Sequence, residues 1–301
     1  MTWLKEFSLP GREWEERFIW DHFGAADLTC YQSVYPFHTL NGKIVRLDFA
    51  PITIFYGGNG SGKTTVLNLI AEKFHAKRLS PFNQSPFFGD YLAGCGGVLE
   101  GNPYETLFVA SDDVFLSMLN SRFENRKNDE SRTRMIQKAL TAKGEFARGR
   151  RKSFRMKNLE EYQDLCDAID IRKLTVSEYV RRNIRPEIRE ASNGQLAFLF
   201  FTTSIPENSL VLLDEPENSL SPGKVLELAD YLQASVRLGT QLILSTHSPL
   251  LLAMEGAAIY DFDSDPVCRR AWYELESVRI YQRFFQEKSN LFDSGGDGSR
   301  K

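Results

Sequence analysis

The sequence predicts an α/β fold in which a mixed, mostly parallel central sheet is flanked by helices. Three observations predict it: short, wholly apolar runs of the kind that form buried parallel strands, amphipathic stretches alternating with them, and a glycine-rich turn between a strand and a helix. Val45, Leu47 and Phe49 alternate with Arg46 and Asp48, the pattern of a half-buried strand. Ile52–Tyr56 follows as a short buried strand, and from Lys63 the residues Val66, Ile70 and Phe74 recur every four, the period of an amphipathic helix. Thr106–Ala110 reads as a further strand, and Leu210–Leu213 and Gln241–Leu244 as two fully buried ones. Between these two, Ser221-Pro222 opens a helix with Val225, Leu228, Leu232 and Val236 on one face and Gly239 past its end. Leu275, Val278, Tyr281 and Phe285 mark a C-terminal helix, and the Gly/Ser-rich Ser294–Lys301 is expected to be a disordered tail.

Composition narrows the function classes. With 42 % hydrophobic and 26 % charged residues over 301 positions, the chain is neither fibrous nor wholly disordered. The longest strictly apolar run, Leu196–Phe201, is far short of the roughly 20 residues of a membrane span, and no signal-peptide stretch opens the chain. Cys30, Cys95, Cys166 and Cys268 form no C-x-x-C pair, which argues against a zinc site or a disulfide framework. A cytoplasmic protein without a membrane partner is expected. A single domain, 1–301, is expected to carry a helical, lid-like insertion over 114–185. Its basic part, 122–157, holds 13 Lys/Arg against 4 Asp/Glu, leaving 24 basic and 36 acidic residues elsewhere. Such a block either keeps a solvated insertion soluble or contacts phosphates or an acidic partner.

Two motifs carry chemistry. Gly57-Gly58-Asn59-Gly60-Ser61-Gly62-Lys63-Thr64 fits G-x-x-x-x-G-K-[ST], the phosphate-binding P-loop. Its glycines let successive N–H groups curl inward toward a phosphate, and the following helix adds its positive end. Gly57, Asn59, Gly60, Ser61, Gly62, Lys63, Thr64 and Thr65 are therefore the candidate nucleotide contacts, with Lys63 between the β- and γ-phosphates and the Thr64 hydroxyl on Mg²⁺. The second motif is the apolar strand ending in Asp214-Glu215-Pro216. It sets Asp214 at the carboxyl edge of the sheet, where open α/β sheets bind ligands, as a Mg²⁺ ligand. Glu215, one residue on, can take a proton from an attacking water.

Together with two further motifs, these features resemble an ABC-type ATPase of the SMC/RecF-like branch, in particular small stand-alone prokaryotic ATPases of the AAA/ABC type. Ala191-Ser192-Asn193-Gly194-Gln195 is similar to the Leu-Ser-Gly-Gly-Gln signature, departing at the leucine and the first glycine. Ser245-Thr246-His247-Ser248-Pro249 resembles the switch-histidine motif, and Asn218-Ser219-Leu220-Ser221 occupies the D-loop position. The resemblance spans about residues 28–288 outside the basic insertion. It implies ATP and Mg²⁺ as cofactors, Ser192, Gly194 and Gln195 meeting the γ-phosphate held by a second subunit, and His247 reaching the γ-phosphate or the water. Glu215, His247 and Lys63 are then the catalytic residues. It also implies an aromatic that stacks on adenine, Tyr35 or Phe37, and a Q-loop residue, for which Gln84 and Ser111-Asp112-Asp113 are the candidates. The implied reaction is ATP hydrolysis driving head-to-tail closure and opening of a homodimer. That cycle would gate an effector such as a nuclease or toxin, or a nucleic-acid transaction, in systems that include phage defence. The alternative is a nucleotide-switched binding scaffold with little turnover.

Overall fold

The computed structural model describes residues 2–23, 34–82, 84–114, 116–117 and 193–293. Contacts divide the chain into two units, Met1–Phe115 with Asn193–Lys301, and Leu116–Ser192. Everything below concerns the first unit. The expected insertion and its basic segment 122–157, the signature serine Ser192 and the tail 294–301 lie outside the described residues.

A six-stranded sheet has the spatial order β5-β6-β7-β3-β8-β9, with β3 Ile52–Tyr56, β5 Thr106–Ala110, β6 Leu210–Asp214, β7 Gln241–Ser245, β8 Ala258–Asp261 and β9 Cys268–Arg270. The first five positions in that order are parallel, and β9 runs antiparallel to β8, so the sheet is mixed as expected. Their apolar composition follows from burial on both faces: every residue of β3 and β7 is buried. A second, antiparallel sheet has the order β2-β1-β4, with β1 Leu4–Ser8, β2 Arg46–Asp48 and β4 Gly96–Leu99. Of its strands the sequence showed only β2, within Val45–Phe49, and not β1 or β4.

One core joins the layers. Leu4, Phe7 and Leu47 of the small sheet, Val66, Leu67, Leu69 and Ile70 of the helix Lys63–Lys73, and Leu212 and Ile243 of the large sheet form a single buried cluster. Each such side chain contributes about 1.5–3 kcal/mol by leaving water. Two polar groups lock the layers in register. The buried Gln241 amide accepts from the Trp3 and Leu4 N–H groups and donates to the Leu4 and Ala50 carbonyls, so all four of its bonds are made. The buried Glu15 carboxylate, on the helix Arg12–Phe23, accepts from the His38 N–H and the Tyr91 hydroxyl. The helix Pro222–Arg237 starts after Ser221 with proline in its first turn and buries Val225, Leu228 and Leu232, as its period predicts. The C-terminal helix Glu276–Glu287 is present too, but only half of its apolar stripe is core: Leu275, just before it, and Val278 are buried, whereas Tyr281 and Phe285 are about half exposed. No helix among the described residues is long and apolar enough to cross a membrane.

Candidate functional site

The parallel register decides what meets at the sheet edge. It places Ala110, Asp214, Ser245 and Phe55 in one row across the carboxyl ends of β5, β6, β7 and β3. Residues some 150 positions apart in sequence therefore converge where the chain leaves β3 for the glycine-rich loop.

That loop turns sharply into the helix Lys63–Lys73. Gly62, with φ 102°, is the residue before the helix, and a Cβ there would stand 2.5 Å from Leu40 Cδ2. Both the left-handed backbone and the missing space require glycine. Lys63 is buried, and its Nζ donates to the carbonyls of Gly57 (2.6 Å) and Gly58 (2.9 Å). Burial holds its amine below the ordinary lysine value, opposed by the charges of Glu215, Asp214, Asp263 and Glu217. From the far side, the Asp263 carboxylate accepts the Gly58 N–H with both oxygens, at 2.7 and 3.0 Å. A pocket of about 410 Å³ is lined by Asn59, Gly60, Ser61, Gly62, Lys63, Thr64 and Thr65, with Thr39 and Glu215.

At the strand end, Asp214 Oδ1 accepts from the Thr64 hydroxyl (3.1 Å) and from Ser245 Oγ (2.5 Å). Burial raises the Asp214 carboxyl above its ordinary value of 3.8, while the two hydroxyl donors work against that rise. A carboxyl raised in the folded state contributes stability below its unfolded value and loses it as pH rises through the folded one, so at neutral pH the charge of Asp214 costs stability. Asp214→Asn is accordingly expected to melt above the wild type at pH 7 in the ligand-free state, with the gap closing as pH falls toward the ordinary carboxyl range. Thermal melts across pH check this.

Glu215 has a left-handed backbone, φ 48° and ψ 56°, which a non-glycine residue holds at a cost of about 1–3 kcal/mol. Its N–H donates to the Ser245 carbonyl and hydroxyl, both at 3.1 Å, which fixes this conformation. The carboxylate points into a group of partners: Asn218 Nδ2 donates to Oε2 at 2.9 Å, and His247 Nε2 is 3.2 Å from Oε1. The histidine contact is close without having the alignment of a hydrogen bond. Lys63, Thr64, Asp214, Glu215 and His247 are thus brought to one edge. Gly194 and Gln195 fall in the first turn of the helix Asn193–Ser204.

A second cavity, of about 1070 Å³, opens beside Thr64, Thr65 and Asp214. Tyr35, Gln84, Ser111 and Asp112 all line it, so both Q-loop candidates border the same space. The Tyr35 hydroxyl donates to Thr65 Oγ1 at 3.3 Å, and burial raises its phenol. Phe37 is a different matter. It is 3 % exposed and packs against Trp14 and Phe18, with ring centroids 5.9 and 4.9 Å away. As an adenine-stacking residue it is therefore ruled out, because the unpredicted helix Arg12–Phe23 covers it. Sequence reasoning also missed Glu217, Asp263 and Arg78. The Arg78 guanidinium lies between the Phe82 and Phe108 rings at 4.2 and 4.3 Å and donates to Asn68 Oδ1. For Glu217, a second acid two residues after Glu215 was the signal available; for Asp263 and Arg78 there was none of comparable strength.

A mostly parallel sheet with a P-loop after one strand and an Asp-Glu pair after another defines a P-loop NTPase. The chain belongs to the family described as "AAA domain, putative AbiEii toxin, Type IV TA system", whose profile matches residues 102–253, half of the sequence. The matched stretch takes in Gly194, Asp214, Glu215 and His247. Solved structures similar to the chain include the Smc head domain of Pyrococcus furiosus, with an extended coiled coil and bound to the C-terminal domain of ScpA. That likeness has 14 % identity, a TM-score of 0.39, and covers 94 % of this chain and 100 % of the other. A second is "an inward-facing conformation of a putative metal-chelate type ABC transporter", with 17 % identity, a TM-score of 0.35 and 81 % of each chain covered. No curated protein matches the chain.

Proposed function

We propose that the chain is a Mg²⁺-dependent ATP hydrolase that closes head to tail with a second copy over two ATP molecules and reopens after hydrolysis. The observation that carries this reading is the meeting of the Lys63 amine, the Thr64 hydroxyl and the Asp214 and Glu215 carboxylates at one sheet edge, with His247 against Glu215.

The oxygens at that edge fit the metal. Thr64 Oγ1 and Asp214 Oδ1 are hard ligands side by side at the mouth of the loop. Among the described residues no cluster of three His, Cys, Asp or Glu could hold an ion unaided. A small cation that keeps most of its waters and shares phosphate oxygens suits so sparse a set. Bound there, Mg²⁺ would neutralise phosphate charge. The chain's own groups do the rest. Lys63 exchanges its two loop carbonyls for phosphate oxygens, the loop N–H groups cradle the phosphate, and Tyr35 offers a ring to the base. Glu215 orients the attacking water and takes its proton, and His247 faces the γ-phosphate. Ser192, Gly194 and Gln195 of the second copy supply donors to the same phosphate. Catalysis of this kind rests on positioning and charge.

The family's description names a putative toxin and a Type IV TA system, and that supports hydrolysis coupled to a toxin-type effector. The segment 122–157 supports nucleic acid as the transaction controlled, through its excess of nine positive charges. The test is ATP turnover with and without Mg²⁺, DNA and RNA. Turnover should need Mg²⁺ and vanish in Lys63→Ala. Nucleic-acid binding should fall steeply with salt and weaken on deletion of Arg148–Lys157, with basal hydrolysis unchanged. ATP binding without any turnover would favour the switched scaffold instead, and binding insensitive to salt would remove nucleic acid as a partner.

A further inference from the structure

We propose that Glu217 is a positioning residue for His247, its carboxylate fixing the loop after β7 so that the imidazole stays against Glu215. The catalytic meaning of this clamp rests on the ATPase reading above; the clamp itself does not.

Glu217 lies in the 3₁₀ turn Pro216–Ser219, two residues after Glu215. Its Oε1 accepts three hydrogen bonds from three successive residues: the Thr246 hydroxyl at 2.6 Å, the His247 N–H at 2.8 Å and the Ser248 N–H at 3.1 Å. The Thr246 hydroxyl in turn accepts the Ser248 N–H at 3.0 Å, which closes the loop on itself. Bonds to a carboxylate are about twice as strong as neutral ones, and three on one oxygen define the path of the chain there. The other oxygen, Oε2, is buried and has no hydrogen-bond partner among the described residues. Burying an unsatisfied charged oxygen is unfavourable, so a neutral acceptor would serve better if capping a loop were the whole task.

The geometry explains what the charge is for. One short turn grips the histidine twice, at the imidazole through Glu215 Oε1 and at the backbone through Glu217 Oε1. The peptide between Glu215 and Glu217 is stiffened by Pro216, so the distance between the two grips is set by the turn rather than by flexible side chains alone. Without Glu217, Thr246 is still tied to β3 through its N–H to the Phe55 carbonyl (3.2 Å), but the His247 N–H loses its acceptor, and beyond it the chain is next held by the four-residue helix Pro249–Leu252. His247 would then leave Glu215, and a group misplaced by an ångström can cost catalysis on the order of 100-fold.

The chain has four histidines, so their imidazole C–H signals can be resolved by NMR in the ligand-free protein, with His247 assigned through its loss in His247→Ala. In the wild type, Glu215→Gln should move the His247 signal, because it removes a charge 3.2 Å away. In Glu217→Ala that response should disappear, and in Glu217→Gln, which keeps a weaker acceptor, it should shrink. In turnover, Glu217→Ala should lower kcat by roughly 10–100-fold with KM little changed, and adding either Glu217 substitution to His247→Ala should cost no more than His247→Ala alone. An undiminished response in Glu217→Ala overturns the proposal. So do losses that add to those of His247→Ala, in whichever of the two Glu217 variants folds. The spectra need no ATP, so a wild type without turnover overturns the ATPase reading and leaves the clamp to be judged on its signals.

Discussion

Glu215→Gln is expected to hydrolyse ATP about 10²–10⁴ times more slowly than the wild type while binding it as well. Glutamine keeps the length of the side chain and can still accept from Asn218 Nδ2, but it cannot take a proton from water. The loss corresponds to about 3–5 kcal/mol of transition-state stabilisation. Binding is spared because the groups assigned to the phosphates and the cation, Lys63, Thr64 and Asp214, are untouched. The contrast is Asp214→Asn. There a hard charged ligand beside Thr64 is lost, so ATP affinity in Mg²⁺ should fall together with turnover, even though the ligand-free fold becomes more stable. Equilibrium binding and phosphate release measured on both variants separate the two roles. Equal binding losses in both would mean that Glu215 holds the nucleotide instead of acting on water.

The second large effect is expected at Gly194. It stands in the first turn of the helix Asn193–Ser204, on the segment assigned to the γ-phosphate of the facing copy. Gly194→Asp adds bulk and a negative charge to that contact, so turnover should be lost while the isolated subunit still binds ATP. Lys63→Ala fails in the opposite way, losing its own phosphate site and keeping its signature segment. Mixing the two inactive chains should restore activity, because one of the two sites in a mixed pair then has an intact P-loop facing an intact signature. Activity no greater than the sum of the separate variants would place the whole site within one chain.

What the sequence made legible was local. The P-loop, the strand ending in Asp214 and the helix from Pro222 are each specified by a dozen or fewer consecutive residues, whose spacing follows from backbone curl, two-sided burial and helical period. The parallel register then brings Thr64 to Asp214 across 150 positions, a meeting that the motifs imply once the strands are neighbours. What stayed hidden depends on distant partners. Asp263 caps Gly58 from 205 positions away, and nothing in its own neighbourhood marks it. Phe37 looked free to stack on a base because the helix that buries it, Arg12–Phe23, has only a weakly apolar face of its own. Its Glu15 is a buried carboxylate, which no hydropathy pattern would place inside. At the other end, Tyr281 and Phe285 carry a helical apolar period and are about half exposed, since period alone does not tell which surface a helix meets. Glu217 was visible as a residue and invisible as a clamp: its three donors belong to a loop 29–31 positions on.

The proposed cycle has ATP hold two chains together until Glu215 ends that state. Its most direct test is the mass in solution of Glu215→Gln protein with Mg²⁺ and ATP, compared with the same protein in ADP. The expected result is a stable pair of chains in ATP that separates in ADP, formed by a variant whose phosphate release is at least 100-fold below the wild type. A Glu215→Gln chain that binds ATP, fails to hydrolyse it and stays a monomer would contradict the closure. One that hydrolyses ATP at the wild-type rate would contradict the assignment of the site itself.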